Sequence, residues 1–138
     1  MQRHDLGAMF ARITARLIAA ERPILARHGL SMWAYIALSE LARQPTDTQL
    51  ALANAIRYDK TRLVTLLDEL EHEGLLTREP DPADRRGRIV ALTEVGVTRL
   101  AATRADIRTM ETALLRELSV TERRTLMAVL PRLASGGD

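Results

Sequence analysis

Thr61, Arg62 and Thr65 stand close together in the chain, with Lys60 directly before them and Arg57 a few residues upstream. On a helix that opens near Asp59, residues 61, 62 and 65 share one face near the N-terminal end. Two hydroxyls and a guanidinium in that place suit hydrogen bonding to base edges, because a helix fits the major groove of duplex DNA and reads it with its first turns. A second basic set, Arg85, Arg86 and Arg88, follows in and beside the turn-forming stretch Pro80-Asp81-Pro82-Ala83-Asp84-Arg85-Arg86-Gly87. A basic hairpin of this kind can lower an arginine into the narrow minor groove, where negative potential is deepest. Thr48 and Gln49 open a short helix upstream, and backbone amides at helix N-termini hold phosphates. Each set alone reads equally well as solvated surface charge. Their succession, helix, helix, charged hairpin, points to nucleic acid.

The elements that must position these residues follow from apolar spacing. Leu6, Met9, Phe10, Ile13, Leu17, Ala20 and Ile24 recur every three or four residues and predict a long helix over about 4–28, ended by Gly29. Ser31 caps a second helix carrying Trp33, Ile36, Ala37, Leu38 and Leu41, and Gln44-Pro45 stops it. Thr48 opens a helix over 49–56 with Leu52, Ala53 and Ile56 inward. Asp59 caps the next, to about Glu73, with Leu63, Leu66, Leu67 and Leu70 inward and Gly74 closing it. Asp68, Glu69, Glu71 and Glu73 should face away from DNA or toward basic groups of the same molecule. Leu75–Glu79 and Arg88–Leu92 read as two strands joined by a long charged tip. Thr93 caps a second long helix with a stripe at Val97, Leu100, Ile107, Met110, Leu114 and Leu118. Leu100, Ile107 and Leu114 are seven apart, the spacing of a helix packed along another helix. Ser119-Val120-Thr121-Glu122 is a capping box before a last helix lined by Leu126, Val129, Leu130 and Leu133, which Pro131 should kink or fray. Ser135–Asp138 reads as a loose tail. The fold expected is mostly α: α+β with a small β-hairpin wing.

Composition narrows the function classes. The 138 residues include no cysteine, which excludes disulfides, thiolate metal sites and thiol redox chemistry, and fits a cytoplasmic protein. No run of 18 apolar residues suggests a membrane span, and the first residues lead into an amphipathic stretch rather than an apolar signal core. Only 3 % of residues are aromatic, so leucine, isoleucine, valine, alanine and methionine must fill the core. Net charge is +2, and Lys60 is the only lysine among 20 basic residues, the rest being arginine. Arginine makes bidentate contacts to phosphate and guanine better than lysine does. Genomic base composition also enriches arginine, so position rather than content carries the argument. His4, His28 and His72 lack metal-ligand spacing, so no metal is expected, and no cofactor either. Asp81 and Asp84 have turn chemistry rather than a catalytic partner, no phosphate loop or nucleophile elbow is present, and no enzyme is expected.

The run Asp59–Leu75 resembles the recognition helix of the MarR (multiple antibiotic resistance regulator) family. Pro80–Gly96 resembles that family's wing, with an Asp-x-Arg tip followed by Leu-Thr-x-x-Gly. Leu30–Tyr35 and Thr48–Ala53 are similar to its earlier helices, and the likeness extends over about residues 6–134. The resemblance implies a homodimer whose first and last helices interlock with the partner's. Asp84 would buttress Arg86, Arg86 would enter the minor groove, and Arg85 and Arg88 would contact the backbone. It also implies a ligand pocket, which Met9, Phe10, Ile13 and Trp33 would line.

Two departures matter. Family members often have glycine where Arg57 stands, and a left-handed conformation there costs a non-glycine residue of order 1 kcal/mol, which a phosphate contact would offset. Val64 and Thr65 replace polar and basic residues, so base preference does not carry over from relatives.

The chain therefore divides into a helical dimerisation lobe, 1–29 and 94–138, and a winged helix-turn-helix lobe, 30–93, with the recognition helix at about 59–73 and the wing at about 76–92. The function expected is a sequence-specific DNA-binding regulator, a ligand-responsive repressor on a pseudo-palindromic operator. A winged-helix adaptor that binds protein but no DNA is the alternative. Double-stranded DNA, a second copy and a small effector are the expected partners, and a membrane is not.

Overall fold

A computed structural model describes residues 5–45 and 47–136. His4, Thr46 and the end of the expected tail, Gly137 and Asp138, lie outside them. Among the described residues the fold has six helices and a three-stranded sheet: α1 Leu6–Arg27, α2 Met32–Arg43, β1 Asp47–Thr48, α3 Gln49–Ile56, α4 Lys60–His72, β2 Leu76–Asp81, β3 Asp84–Leu92, α5 Glu94–Leu114 and α6 Val120–Ala134. This is a winged helix-turn-helix flanked by long helices.

The caps read from the sequence are made. Ser31, Thr48, Asp59 and Thr93 each accept a backbone N–H three residues on, from Ala34, Ala51, Arg62 and Gly96. Ser119 and Glu122 form the reciprocal capping box of α6. Each cap satisfies a donor that the first helical turn leaves without an internal partner.

The core lies between α2, α3, α4 and the sheet, with one end of α1 and one face of α5 laid against it. Leu38, Leu52, Leu63, Leu67, Leu75, Leu76 and Val90 are fully enclosed. Of α1 only Ile24 and Leu25 are buried, and of α6 no residue is.

The structure differs from the expected elements in four places. A strand not foreseen, β1, pairs antiparallel with β3, Asp47 opposite Val90 and Thr48 opposite Ile89. Two residues, the second of which also caps α3, carry no alternation by which to recognise a strand. The wing tip is short rather than long. Strands β2 and β3 pair as far as Asp81 opposite Asp84, leaving only Pro82 and Ala83 between them. The α5 stripe excludes Val97, which is 54 % exposed, and runs instead through Gly96, Leu100, Thr103 and Ile107. Gly96 sets this phase: a Cβ there would meet the Leu75 carbonyl oxygen at 2.0 Å, so only glycine lets α5 approach the sheet. Buried Thr103 satisfies its hydroxyl by donating to Arg99 O at 2.7 Å. Finally, α6 continues through Pro131 to Ala134, as α1 continues through Pro23.

Candidate nucleic-acid interface

The turn between α3 and α4 decides where the basic residues point. Arg57 adopts φ 55°, ψ 50°, the left-handed conformation expected from its place after α3, and it is the only non-glycine with positive φ among the described residues. Tyr58 N–H donates to Ala53 O at 3.0 Å and closes the reversal. Asp59 then accepts Arg62 N–H at 2.9 Å and starts α4. With Leu63, Leu66, Leu67 and Leu70 buried, Lys60, Thr61, Arg62, Val64 and Thr65 are left exposed.

In the wing, the two aspartates shape the tip through the backbone. Asp81 Oδ1 accepts Ala83 N–H at 2.9 Å, and Asp84 Oδ1 accepts Arg86 N–H at 3.0 Å. Asp84 thus supports Arg86 through its main chain, leaving the side chain outward. Arg85, Arg86 and Arg88 are all exposed.

A groove of about 330 Å³ runs between wing and α4. It brings together Thr48, Gln49, Lys60, Val64, Arg86 and Arg88, with Asp81 and Asp84 at its wing side. A second groove, of about 340 Å³, lies on the other flank of α4 and holds Arg62 and Thr65 with Ser31, Trp33, Tyr58 and Glu69. The two grooves put the α4 cations on both sides of one helix, with the wing cations beside it.

Arg78 and Tyr58 are structural partners of the site that sequence reasoning missed. Arg78, on β2, donates through Nε and Nη2 to Glu71 Oε1 at 3.2 and 2.9 Å, and through its backbone N–H to Glu71 Oε2 at 3.1 Å. Its Nη2 also pairs with Asp68, and its Nη1 reaches Gln49 Oε1 at 3.3 Å. One guanidinium therefore ties α3, α4 and the wing together. Burial works against its charge, but Glu71 and Asp68 outweigh burial and hold its pKa above the ordinary value. The same contact, first the side-chain and then the backbone hydrogen bond from Arg78, holds Glu71 below the ordinary carboxylate value. The expectation that the α4 acids face basic groups of the same molecule is met by Asp68 and Glu71. The signal for Arg78 was an unassigned arginine on the strand just after those acids.

The four residues expected to line one pocket divide between two places. Met9, Phe10 and Ile13 line an apolar groove of about 450 Å³ with Leu114, Leu118, Leu126 and Leu130. Trp33 is in the groove beside α4, stacked on Tyr58. The reason is helix length: Phe10 precedes Ile24, where α1 meets the core, by about 20 Å at 1.5 Å per residue. Among the described residues there is no cluster of three or more metal-ligating side chains, and no helix is long and apolar enough to cross a membrane.

Comparison with known proteins agrees with this geometry. The sequence model of the MarR family matches residues 28–87, from just after α1 into β3 of the wing. A Thauera aromatica protein assigned as the transcriptional regulatory protein for the hcr operon is 33 % identical over 112 residues, which cover 81 % of this chain and 68 % of that one. The transcriptional regulator HosA of Escherichia coli O111:H- is 37 % identical over 99 residues, covering 72 % and 69 %. Among solved structures, the transcriptional repressor CouR bound to a 23-mer DNA duplex superposes with a TM-score of 0.82 at 28 % identity, covering 94 % of this chain and 92 % of that one.

Proposed function

The chain belongs to the MarR family and is a DNA-binding transcriptional regulator, and from that premise we propose that it acts as a homodimeric, ligand-responsive repressor of a pseudo-palindromic operator. The observation that carries the reading is the disposition of cations. Lys60 on α4 and Arg86 and Arg88 on the wing line one groove, with Arg62 on the other flank of the same helix. Inserted in a major groove, α4 presents Thr61, Arg62 and Thr65 to base edges, while the wing carries Arg86 toward the adjacent minor groove. Arg57, Thr48, Gln49, Arg85 and Arg88 fall to the backbone, where they set register rather than sequence.

Dimerisation is supported by what the chain leaves uncovered. Leu6, Phe10 and Ile13 on α1 and Met127, Val129 and Leu133 on α6 are exposed. Leu6, Phe10 and Ile13 also line the α1–α5–α6 groove, and exposed apolar side chains grouped in this way support an association site. In this reading residues 1–29 and 94–138 form the dimerisation lobe and 30–93 the DNA-binding lobe, in a cytoplasmic regulator. Two recognition helices then meet half-sites about one helical turn, roughly 10 base pairs, apart. An effector in the groove lined by Met9, Phe10 and Ile13 would act by changing the distance between the two DNA-binding lobes.

The test is binding of DNA selected from genomic fragments, titrated over salt. Affinity falls steeply as salt rises, because several phosphates are neutralised. Arg86→Ala weakens binding by about 1–3 kcal/mol. No binding to any duplex at low salt overturns the reading, and unchanged affinity in Arg86→Ala removes Arg86 from its role.

A further inference from the structure

We propose that Tyr58, backed by Trp33, is a positioning residue that determines which base edge Arg62 reads. The inference rests on α4 being the recognition helix. Arg62 Cζ lies over the Tyr58 ring, 5.5 Å from its centroid. Trp33 stacks on Tyr58, with centroids 4.4 Å apart and planes at 22°. The three side chains come from three elements: the first turn of α2, the turn between α3 and α4, and the first turn of α4.

The backbone builds this ladder. The left-handed Arg57 reverses the chain, Tyr58 N–H returns to Ala53 O, and the Tyr58 ring is carried across to α2. What the strained turn places is therefore Tyr58. Trp33 is 38 % exposed and lines a polar-edged groove with Ser31, Thr65 and Glu69, so core filling alone does not account for it.

The physical consequence concerns the freedom of Arg62. An exposed arginine swings through many rotamers, and ordering it on a base costs entropy. A guanidinium held over an aromatic face has lost part of that freedom before DNA arrives, and its donors are aimed in one direction. The ladder thus acts on sequence discrimination more than on the phosphate contacts that dominate affinity.

The test uses a duplex selected by the wild-type protein from a random-sequence library, together with duplexes in which each base pair is replaced in turn. Arg62→Ala is expected to flatten the preference at one or two positions of each half-site. Tyr58→Leu flattens the same positions roughly fivefold, the scale of a lost cation–π contact, and leaves the salt slope unchanged. Tyr58→Phe keeps the wild-type profile, because the ring face remains. The double variant Tyr58→Leu/Arg62→Ala is no flatter than Arg62→Ala. A wild-type profile in Tyr58→Leu, a loss spread evenly over all positions, or additive losses in the double variant overturn the proposal while leaving the DNA-binding reading intact. If Arg62→Ala changes no base preference although the salt slope stays steep, Arg62 is not a base reader and the proposal falls with that assignment. Absence of binding to any duplex at low salt overturns the DNA-binding reading and the proposal together. Should Tyr58→Leu lose its helical circular dichroism, Trp33→Leu carries the test: flattening at the Arg62 positions supports the ladder, and an unchanged profile overturns it.

Discussion

The inward face of α4, Leu63, Leu66, Leu67 and Leu70, is buried within the chain, whereas α6 carries Leu126, Val129, Leu130 and Leu133 and buries none of them. The two helices have similar lengths and similar apolar spacing. They differ in what surrounds them: α4 meets α3 and β2, while α6 is attached near its start by Arg123 Nε donating to Leu115 O at 3.2 Å. The central unit closes its own core, and α6 keeps a stripe that the described residues of its own chain do not bury. Amphipathic spacing thus identifies a face that must be covered and says nothing about whether the same chain covers it.

Truncating one leucine in each region should separate them most. Leu67, fully enclosed, changed to alanine should cost about 2–5 kcal/mol of folding stability in denaturant titration and leave subunit dissociation unchanged. Leu133, 62 % exposed, changed to alanine should do the reverse. Its effect belongs in sedimentation velocity, with dissociation rising roughly tenfold for lost apolar contact, while a dilute monomer loses under about 0.5 kcal/mol. Equal stability losses at the two sites would erase the distinction between the regions.

Arg57→Gly sharpens the comparison within the central unit, where Arg57 is the one left-handed non-glycine among the described residues. Relieving the left-handed conformation should stabilise the fold by about 1 kcal/mol in thermal unfolding. Glycine also frees the turn that places Tyr58, so sequence discrimination should fall even as stability rises. A variant more stable and equally selective would show that the strain does nothing for recognition.

The smallest expected effect is a pair of opposite pH dependences. Glu71 in the central unit is lowered by its hydrogen bonds from Arg78. Its contribution is present at neutral pH, above the unfolded value, and is lost as pH falls through the folded value. Glu21 on α1 is raised, first by burial and then by Glu111 on α5. It holds its proton longer when folded, so it disfavours folding increasingly as pH climbs past the unfolded value. Glu71→Gln should therefore cost stability at pH 7 and little in acid. Glu21→Gln should gain stability at pH 7 and change little in acid. Unfolding of both variants across pH 3–7 checks the signs, and slopes of the same sign in the two would sink the assignment.

Much of the local structure is legible in the residues because its causes are local. Ser31, Thr48, Asp59, Thr93 and Ser119 cap the helices they precede, since a short side-chain acceptor reaches an amide three residues on whatever the rest of the molecule does. The left-handed Arg57 followed from its place at the end of α3, and the outward set Lys60, Thr61, Arg62 and Thr65 followed from the leucine phase of α4. The wing's turn chemistry, Pro-Asp-Pro-Ala-Asp, was equally plain, though its tip proved shorter because the two aspartates accept backbone amides and let the strands pair up to the turn.

What tertiary structure alone decided are contacts between distant segments. Gly96 sets the face of α5 because the Leu75 carbonyl occupies the space a side chain would need, a neighbour that the α5 spacing does not reveal. Arg78 became the tie among α3, α4 and the wing only when β2 was laid beside Asp68 and Glu71. Trp33 left the apolar company of Met9, Phe10 and Ile13 for Tyr58, because the length of α1 carries those residues away from α2. So the sequence by itself determined that a helix capped by Asp59 carries Arg62 on its outward face, through capping and periodicity, which act over one or two turns. Only the tertiary structure placed a ring beneath that guanidinium, since the position of Tyr58 over Trp33 depends on three elements meeting at once.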